Sequence, residues 1–473
     1  MKLNGLTIKE VREGLKTKKF SSVELTTACL TQIKKHDKNL NAFITITEKE
    51  ALEQAKKADA LASQGETLQD KPLLGVPIAL KDLFSTKNIK TTAASNILKD
   101  YVPQYDATVV RKLKNAGAII IGKTNLDAWA HGSSGENSDF GPTKNPWNRE
   151  YVPGGSSSGS AVSVASDMCI AATGTDTGGS VRLPASFNNI VGLKPTYGRV
   201  SRYGIIAMAS SLDSIGHFTK TVEDSALFFN VTAGQDKFDA TTLPNPTEDF
   251  TRNLNKGIKG IKIGVPGEFV TSDLDKEIKS KLEETIKILA GLGAEIIEVS
   301  LPYTEYGIAV YYIIQPSEVS SNLARYDGIR FGNGREAFGE EAKRRIMMGI
   351  HFLSSGYYDA YFNKAMSVRT LIKKDFDNAF RKVDALISPV CPTLPWKLGE
   401  KINDPLKMYL SDVLTVTANI AGIPSLSVPA GFSANKLPIG IQIMGKQLSE
   451  SLLFQIGNAF EQKTMFYKQK PNL

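Results

Sequence analysis

The sequence contains little cysteine and little histidine. Its 473 residues include three cysteines and four histidines. The cysteines are an odd and widely scattered set, which argues against a disulfide framework; they are Cys29, Cys169 and Cys391. No histidine lies at ligand spacing from a second histidine or a cysteine, so no metal site is expected; the four are His36, His131, His217 and His351.

Long apolar runs are also missing. No stretch of about 20 apolar residues is present, so no membrane span is expected. Residues 1–5 have neither the apolar core of a signal peptide nor the Arg-rich character of a transit peptide, which predicts a cytoplasmic protein. The net charge is +8, but the lysines alternate with glutamates along predicted helices such as 276–287. This pattern favours solvated helix faces over a nucleic-acid patch.

Strand-like and helix-like segments alternate along most of the chain. This alternation predicts an α/β fold, with a mixed, mainly parallel sheet covered by helices on both faces. Strands are predicted at 42–47, 76–80, 118–121, 169–173, 261–265, 295–299, 385–388, 426–428 and 440–444. Helices are predicted at 22–36, 48–63, 108–115, 160–166, 222–232, 274–289 and 449–462.

One large domain is expected, because no Pro/Gly-rich linker divides the chain. The character of the sequence changes at about 303, where it becomes helical and rich in tyrosine until about 382. We therefore divide the single domain 1–473 into an N-terminal helical part, a catalytic core, a helical insertion and a return to the core sheet. These parts cover about 1–65, 66–302, 303–382 and 383–473.

A lysine ends the apolar run 75–82. If Lys81 is buried, the loss of solvation lowers its pKa and makes the amine a usable general base. The same pattern also suits a lysine at a strand end with its head in water.

Two Gly/Ser turns follow this lysine. In 154–160, glycines before a helix leave backbone N–H groups free to orient a hydroxyl such as that of Ser156. A flexible linker is the alternative, but the segment runs directly into the apolar stretch 161–165. In 176–180, a strand leads into Gly-Gly-Ser, which presents Ser180 on a tight turn beside N–H groups that can stabilise an oxyanion. A serine nucleophile needs a base, and with no histidine near either turn a lysine acting through a second serine remains. This equipment suits acyl transfer at an amide.

Together the three segments resemble the signature motifs of the amidase signature family. Lys81 and Ser156 are 75 residues apart and Ser156 and Ser180 are 24 apart, as in that family. The resemblance implies that Ser180 is the nucleophile, that Ser156 is a bridging serine held by a cis peptide, and that Lys81 is the base. It also implies an oxyanion hole formed by the backbone N–H groups of Thr177, Gly178, Gly179 and Ser180. Two charged residues, Asp176 and Arg182, would brace the turn. Ser158 stands where the family usually has glycine, and little loss of activity is expected from it.

The resemblance covers essentially the whole chain and is closest to one branch of the family, the A subunits of aspartyl/glutamyl-tRNA(Asn/Gln) amidotransferases. The runs that carry it include 40–45, 132–138, 322–328, 343–347, 354–361 and 408–412. It implies a glutaminase within a glutaminyl-tRNA synthase (glutamine-hydrolysing). The ammonia would pass to a B subunit that converts Glu-tRNA(Gln), Asp-tRNA(Asn) or both with ATP and Mg, and a small C subunit would clasp the two. This chain itself is expected to hold no cofactor and no metal.

The same branch implies ligands for glutamine. Arg345 would bind the carboxylate bidentately and Asp412 would pair with the ammonium, with Tyr311 and Ser133 as further contacts. From sequence alone, Arg345 is as well described as a helix-face cation and Asp412 as a helix N-cap. His131 stands where the branch often has methionine, and the stretch 332–338 is short compared with many relatives.

Two other functions remain open at this point. A free-standing amidase acting on small or acyl amides would share all three motifs, and only Arg345 and Asp412 argue for a zwitterionic substrate instead. A non-catalytic scaffold is not favoured, because Lys81, Ser156 and Ser180 are all present.

Overall fold

Eleven β-strands form one sheet in the computed structural model, which describes residues 2–64, 70–326 and 332–473. The predicted boundary at 65–66 and residues 327–328 of the resemblance lie outside the described residues. The strands are β1 (Phe43–Ile46), β2 (Pro77–Lys81), β3 (Ile119–Thr124), β4 (Ala171–Asp176), β5 (Val191–Lys194), β6 (Ser214–Thr219), β7 (Lys262–Pro266), β8 (Glu295–Val299), β9 (Ala385–Pro389), β10 (Ser425–Phe432) and β11 (Pro438–Gly445). Their order across the sheet is β1-β3-β2-β4-β6-β5-β10-β11-β9-β7-β8.

The sheet is mixed, and its antiparallel pairs outnumber its parallel ones. Among the described strands, four neighbouring pairs are parallel: β2–β3, β2–β4, β7–β8 and β7–β9. The other six are antiparallel. The α/β class with a large mixed sheet flanked by helices is therefore confirmed, whereas the expected parallel majority is wrong. Two causes account for this: β5 and β6 were not predicted, and β10 and β11 form a hairpin with no crossover helix between them.

Fourteen α-helices surround the sheet in the described part of the chain. Two of them begin with capping boxes, formed by Thr7 with Glu10 and by Ser21 with Glu24. The helices are α1 (Ile8–Lys16), α2 (Ser22–Leu40), α3 (Glu48–Ser63), α4 (Thr108–Asn115), α5 (Ser158–Ala165), α6 (Arg182–Asn188), α7 (Val222–Thr232), α8 (Lys276–Gly291), α9 (Gly307–Leu323), α10 (Glu340–Leu353), α11 (Lys364–Ala379), α12 (Pro405–Tyr409), α13 (Val416–Ala421) and α14 (Glu450–Thr464). None of the helices in these ranges combines the length and the apolar character that crossing a membrane would require.

The segment between β8 and β9 is helical in its described residues. Its helices α9, α10 and α11 pack on one another, and α11 also contacts α13. The buried ring of Trp129 lies 5.0 Å from Tyr326 and 5.5 Å from Phe338, which joins the end of α9 and the start of α10 to the core. These helices therefore come to lie against the edge of the sheet where the Gly/Ser turns are found.

Parallel pairing of β2 and β4 brings the first and last motifs together. Lys81 is the last residue of β2 and Asp176 is the last residue of β4. Because the two strands are parallel neighbours, their carboxyl ends lie at the same edge of the sheet. Helix α5, whose residues are all buried, begins within the Gly/Ser segment 154–160 and packs on both strands.

Candidate active site

Lys81 is completely buried and surrounded by hydroxyl groups. Its Nζ donates to the Oγ of Ser156 and of Ser157 at 2.9 Å each, and to the Oγ1 of Thr175 at 2.8 Å. Its backbone N–H donates to the Oγ1 of Thr173 at 3.0 Å. This burial excludes the alternative in which Lys81 ends the strand with its ammonium group exposed to solvent.

Burial lowers the pKa of Lys81 to about 7. The charges of Asp127, Asp176 and Asp213 act in the opposite direction, but none of these carboxylates forms an ion pair with Lys81 among the described residues. A large fraction of the amine is therefore neutral at physiological pH and can accept a proton.

The hydroxyl of Ser157 limits how a neutral Lys81 can be hydrogen-bonded. Ser157 Oγ donates to the carbonyl of Thr175 at 3.2 Å and accepts from the Thr175 N–H at 3.3 Å. A neutral amine has two N–H donors and one lone pair, so one of the three hydroxyls must donate to it. Because the proton of Ser157 already points to a carbonyl, only Ser156 or Thr175 can fill that place.

The peptide bond between Gly155 and Ser156 is cis, as the resemblance implied. The Ser156 carbonyl accepts from the N–H of Asp127 at 3.1 Å, and the Gly155 N–H donates to the carbonyl of Ser133 at 2.9 Å. The hydroxyl of Ser158 donates to Thr143 Oγ1 at 3.2 Å and makes no bond to Lys81. The extra hydroxyl therefore lies outside the contacts of the lysine.

Ser180 lies in the turn between β4 and α6, close to the Ser156 segment. The Ser157 N–H donates to the carbonyl of Ser180 at 3.2 Å, which ties the two Gly/Ser turns together. Ser180 is 9% exposed. Among the described residues its hydroxyl makes no hydrogen bond, so it is free to meet a substrate.

The carboxylate of Asp176 holds the turn that carries Ser180. It accepts from the backbone N–H groups of Gly179, Val181 and Arg182 at 3.0, 3.1 and 3.3 Å. It also forms a completely buried ion pair with the Arg182 guanidinium at 2.9 Å. The Gly179 N–H is thus engaged, whereas the N–H groups of Thr177, Gly178 and Ser180 have no acceptor among the described residues.

Asp412 accepts hydrogen bonds from two hydroxyl groups. The Ser133 Oγ donates to both carboxylate oxygens of Asp412, at 2.8 and 3.0 Å, and the Tyr312 hydroxyl donates to one of them at 3.1 Å. Burial raises the pKa of Asp412 to about 7, although these two hydroxyls act to lower it. Asp412 is therefore a buried carboxylate beside the substrate loop, by which we mean residues 132–137.

Arg345 points into the protein from α10. Its Nε donates to Glu341 Oε1 and its Nη1 to Gln315 Oε1, both at 2.8 Å. Its guanidinium lies 5.4 Å from the centre of the Tyr312 ring and 5.6 Å from that of Tyr409. Only Nη2 has no partner among the described residues. Because Nη1 carries a second N–H beside the one that Gln315 accepts, Nη1 and Nη2 can still meet a ligand carboxylate together, and the bidentate contact stays a prediction.

Tyr311 connects the substrate side to the Ser180 turn. A Cβ placed on Gly178 would lie 2.7 Å from both Cζ and the hydroxyl oxygen of Tyr311, so the ring lies directly against this glycine. Nearby, burial and the charge of Arg345 lower the pKa of His131 well below its usual value. The imidazole of His131 is therefore neutral, and neither ring nitrogen has a hydrogen-bond partner among the described residues.

A cavity of about 230 Å³ reaches the back of this site. It is lined by Thr175 and Asp213 on the inside and by Arg202, Tyr203 and Phe238 towards the surface.

No group of three or more histidine, cysteine or acidic side chains in the described ranges could hold a metal ion.

Comparison with known proteins agrees with this geometry. The family model described as Amidase matches residues 24–454. The chain belongs to the amidase family. Among curated relatives of this amidase, the A subunits of the glutamyl-tRNA(Gln) amidotransferases of Geobacter metallireducens and Carboxydothermus hydrogenoformans are each 51% identical to it, over the full length of both chains.

Solved structures of similar amidases show the same fold. The A subunit of glutamyl-tRNA(Gln) amidotransferase from Thermotoga maritima is 43% identical, with a TM-score of 0.83, and the match covers 97% of this chain and 95% of that one. A peptide amidase from Stenotrophomonas maltophilia is 29% identical, with a TM-score of 0.82, and the match covers 98% of each chain.

Sequence reasoning missed the residues that support this amidase site from the end of the chain. Arg182 Nη1 donates to the Thr415 carbonyl at 3.0 Å and to Gln442 Oε1 at 2.9 Å, and Nη2 donates to Asn419 Oδ1 at 2.6 Å. The Thr415 hydroxyl donates to the Gly178 carbonyl at 2.6 Å. These residues follow Arg182 by more than 230 positions and belong to no chemical motif. The sequence indicated them only indirectly, because a buried arginine such as Arg182 needs hydrogen-bond acceptors around it.

Proposed function

We propose that this chain is the glutamine-hydrolysing subunit of a tRNA-dependent amidotransferase. The observation that carries the proposal is the placement of two buried, oppositely charged side chains, Arg345 and Asp412, on either side of Tyr312. A zwitterionic amide such as glutamine offers an ammonium to Asp412 and a carboxylate to the unused N–H groups of Arg345, whereas an apolar amide would leave Asp412 without a cation and Arg345 with Glu341 as its only anion. The names of the curated relatives support the same function.

Hydrolysis would begin with proton transfer away from Ser180. Neutral Lys81 accepts the proton of Ser156 while Ser156 accepts the proton of Ser180, and Ser180 Oγ attacks the side-chain amide carbon of glutamine. The N–H groups of Thr177, Gly178 and Ser180, which have no acceptor among the described residues, would stabilise the oxyanion that forms.

Collapse of this intermediate breaks the C–N bond. The proton held by Lys81 returns through Ser156 to the leaving nitrogen, which departs as ammonia and leaves an ester on Ser180. A water molecule then attacks the ester with the same relay as base, which releases glutamate and restores the Ser180 hydroxyl.

The ammonia would be consumed by a partner. We propose a B subunit that uses ATP and Mg to convert Glu-tRNA(Gln), Asp-tRNA(Asn) or both to the amidated forms, with a small C subunit in the same cytoplasmic heterotrimer. The cavity lined by Thr175 supports this proposal, since Thr175 also accepts from Lys81 and the cavity would give ammonia a space to enter beside the relay. This chain would then need no cofactor of its own.

A free-standing amidase is the second candidate. The likeness to the peptide amidase of Stenotrophomonas maltophilia favours it, because that protein shares the fold over almost the entire chain. Under this alternative, Arg345 and Asp412 would be structural.

The native assembly distinguishes the two candidates. The chain is isolated from its own cells, and the mass and subunit composition of the complex are measured, followed by ammonia release from glutamine with and without ATP and misacylated tRNA. A complex with one larger and one small subunit, whose glutaminase responds to the tRNA, supports the amidotransferase. A lone monomer or homodimer that cleaves small amides but not glutamine would establish the free-standing amidase instead.

A further inference from the structure

Asp127 is a completely buried carboxylate that the relay does not contact directly. Its Oδ1 accepts from the backbone N–H groups of Gly135 and Asn137 at 3.0 Å, and its Oδ2 accepts from Gly135 at 3.0 Å. Asp127 follows β3 closely and so belongs to the core, whereas its hydrogen-bond donors belong to the substrate loop. The carboxylate therefore fixes the shape of that loop from below.

The same residue also holds the peptide that presents Ser156. Its backbone N–H donates to the Ser156 carbonyl at 3.1 Å. Its Oδ2 lies so close to the Cα of Gly155 that a Cβ there would overlap it. Only glycine at position 155 leaves room for the carboxylate beside the Gly155–Ser156 peptide.

The substrate loop in turn carries a group that faces the ligand. Ser133 donates through its hydroxyl to Asp412 and accepts through its carbonyl from Gly155. One path runs from Asp412 through Ser133 to the Gly155 N–H, and the other runs from Gly135 through Asp127 to the Ser156 carbonyl. The two paths therefore end on either side of the cis peptide between Gly155 and Ser156.

We propose that Asp127 is a positioning residue for amide hydrolysis, which couples the substrate loop that binds the ligand's ammonium group to the Ser156–Lys81 relay. This inference rests on the proposed function in so far as Ser156 and Lys81 carry the proton of the reaction. Asp127 itself touches neither substrate nor the reacting atoms.

The charge of Asp127 gives the proposal a measurable signature. Asp127, Asp176 and Asp213 are the charged groups whose fields act on Lys81, and all three raise its pKa. Asp176 is paired with Arg182, and Asp213 accepts from the Thr177 hydroxyl at 2.7 Å. Burial raises the pKa of Asp127 itself to about 7, so its charge acts on Lys81 mainly near and above that pH. Removing this charge should lower the pKa of Lys81, so more of the neutral base is present near pH 7.

The test compares Asp127→Asn with Asp127→Ala in the full chain within its native assembly. Asn keeps an Oδ1 acceptor for Gly135 and Asn137, so we expect the acidic limb of the kcat/KM profile to move to lower pH by roughly 0.5–1 unit with KM changed less than about threefold. Ala removes every acceptor, so we expect a fall in kcat and a rise in KM of at least about tenfold each.

Asp224→Asn is the matched control. Asp224 is also completely buried and accepts the backbone N–H groups of Ile8 and Lys9 at 2.9 and 3.2 Å, but it has no contact with the relay. It should lower thermal stability and leave the pH profile unchanged. An Asp127→Asn profile that coincides with the wild type and with Asp224→Asn would overturn the proposal, as would an Asp127→Ala variant altered in KM alone.

A second variant covers the case in which Asp127 variants fail to fold. The side chain of Asn137, which is only partly buried, donates to the His131 carbonyl at 2.7 Å. Asn137→Ala removes this bond and loosens the same loop, but it keeps the backbone N–H that donates to Asp127. We expect kcat at saturating substrate to fall together with the rise in KM; a change in KM alone would refute the coupling. If the wild type cleaves a small amide and not glutamine, the proposed function fails and the same comparison is made on that amide. A wild type that cleaves neither overturns both.

Discussion

The Nζ of Lys81 lies 2.9 Å from the Oγ of Ser156 in a part of the protein interior that solvent does not reach. This contact makes the lysine useful as a base, because burial disfavours its charged form while the serine offers a route for the proton. The cost of burying the amine is offset by hydrogen bonds with three hydroxyl groups. A carboxylate in their place would have kept the amine protonated.

The first prediction concerns pH. Because Lys81 must be neutral to accept a proton, kcat/KM should rise with pH and level off above about 7, where burial places the pKa of Lys81. Asp412 titrates in the same range and favours binding of an ammonium when ionised, so its contribution has the same sign. Measuring the profile on both glutamine and a small amide without an ammonium separates the two, since only Lys81 should affect the second. Lys81→Arg, whose guanidinium keeps its proton, should lower kcat at least about 100-fold. A flat profile on the small amide between pH 5.5 and 8.5 would count against Lys81 as the base.

The second prediction concerns Ser180. Ser180→Ala should reduce ammonia release from glutamine by at least about 1,000-fold, because the other hydroxyl of that turn, on Thr177, is hydrogen-bonded to Asp213. Assembly with partner chains should be unchanged, as the Ser180 side chain makes no hydrogen bond in the described part of the protein. Ser427→Ala is the matched control, since Ser427 is also buried and its hydroxyl has no hydrogen-bond partner in the described ranges. The control should keep wild-type activity, and full ammonia release by Ser180→Ala would disprove the nucleophile assignment.

The third prediction concerns Arg345. Arg345→Ala should raise KM for glutamine roughly 10–100-fold, the value of one hydrogen bond between charged groups. The same variant should change kcat/KM for an amide without a carboxylate by much less. Arg344→Ala is the neighbouring control: this side chain is 40% exposed, although it also contacts Glu341. Equal effects of Arg345→Ala on the two substrates would return Arg345 to a structural role in holding Glu341 and Gln315.

Local motifs made much of the catalytic centre predictable from the sequence. The apolar run that ends at Lys81 and the strand that ends at Asp176 were both recognisable, and parallel neighbours bring such ends together. The short strands β5 and β6 were not recognisable, because each contains a glycine and neither shows a clear alternation. Their absence from the prediction is what made the sheet seem mainly parallel.

Contacts between distant parts of the chain explain what the sequence did not reveal about the site. Asp127 carries no motif, and its importance follows only from the loop folding back over it. Arg345 was recognised only through the resemblance, because its burial against Gln315 and Tyr312 depends on how α9 and α10 pack. Hydrogen bonds that depend on tertiary packing have no periodicity for a sequence pattern to detect.

The last prediction tests the support that the end of the chain gives to the turn. The Thr415 hydroxyl donates to the Gly178 carbonyl at 2.6 Å, and a Cβ on Gly179 would meet the same threonine, so the turn rests on this side chain. Thr415→Val keeps the shape and removes the donor, which leaves a buried carbonyl without that bond at a cost of about 1–3 kcal/mol. Loss of this bond should also loosen the N–H groups that would stabilise the oxyanion. We therefore expect kcat to fall roughly tenfold, which corresponds to about 1.4 kcal/mol, and KM to change less. Thr417→Val, two residues further on in α13, is the control, because Thr417 is equally buried but its hydroxyl has no hydrogen-bond partner in the part of the chain that the structure describes. Removing that hydroxyl should leave kcat unchanged and the protein at least as stable. A fall in kcat of the same size in both variants would mean that the turn responds to general packing around α13 and not to the bond from Thr415.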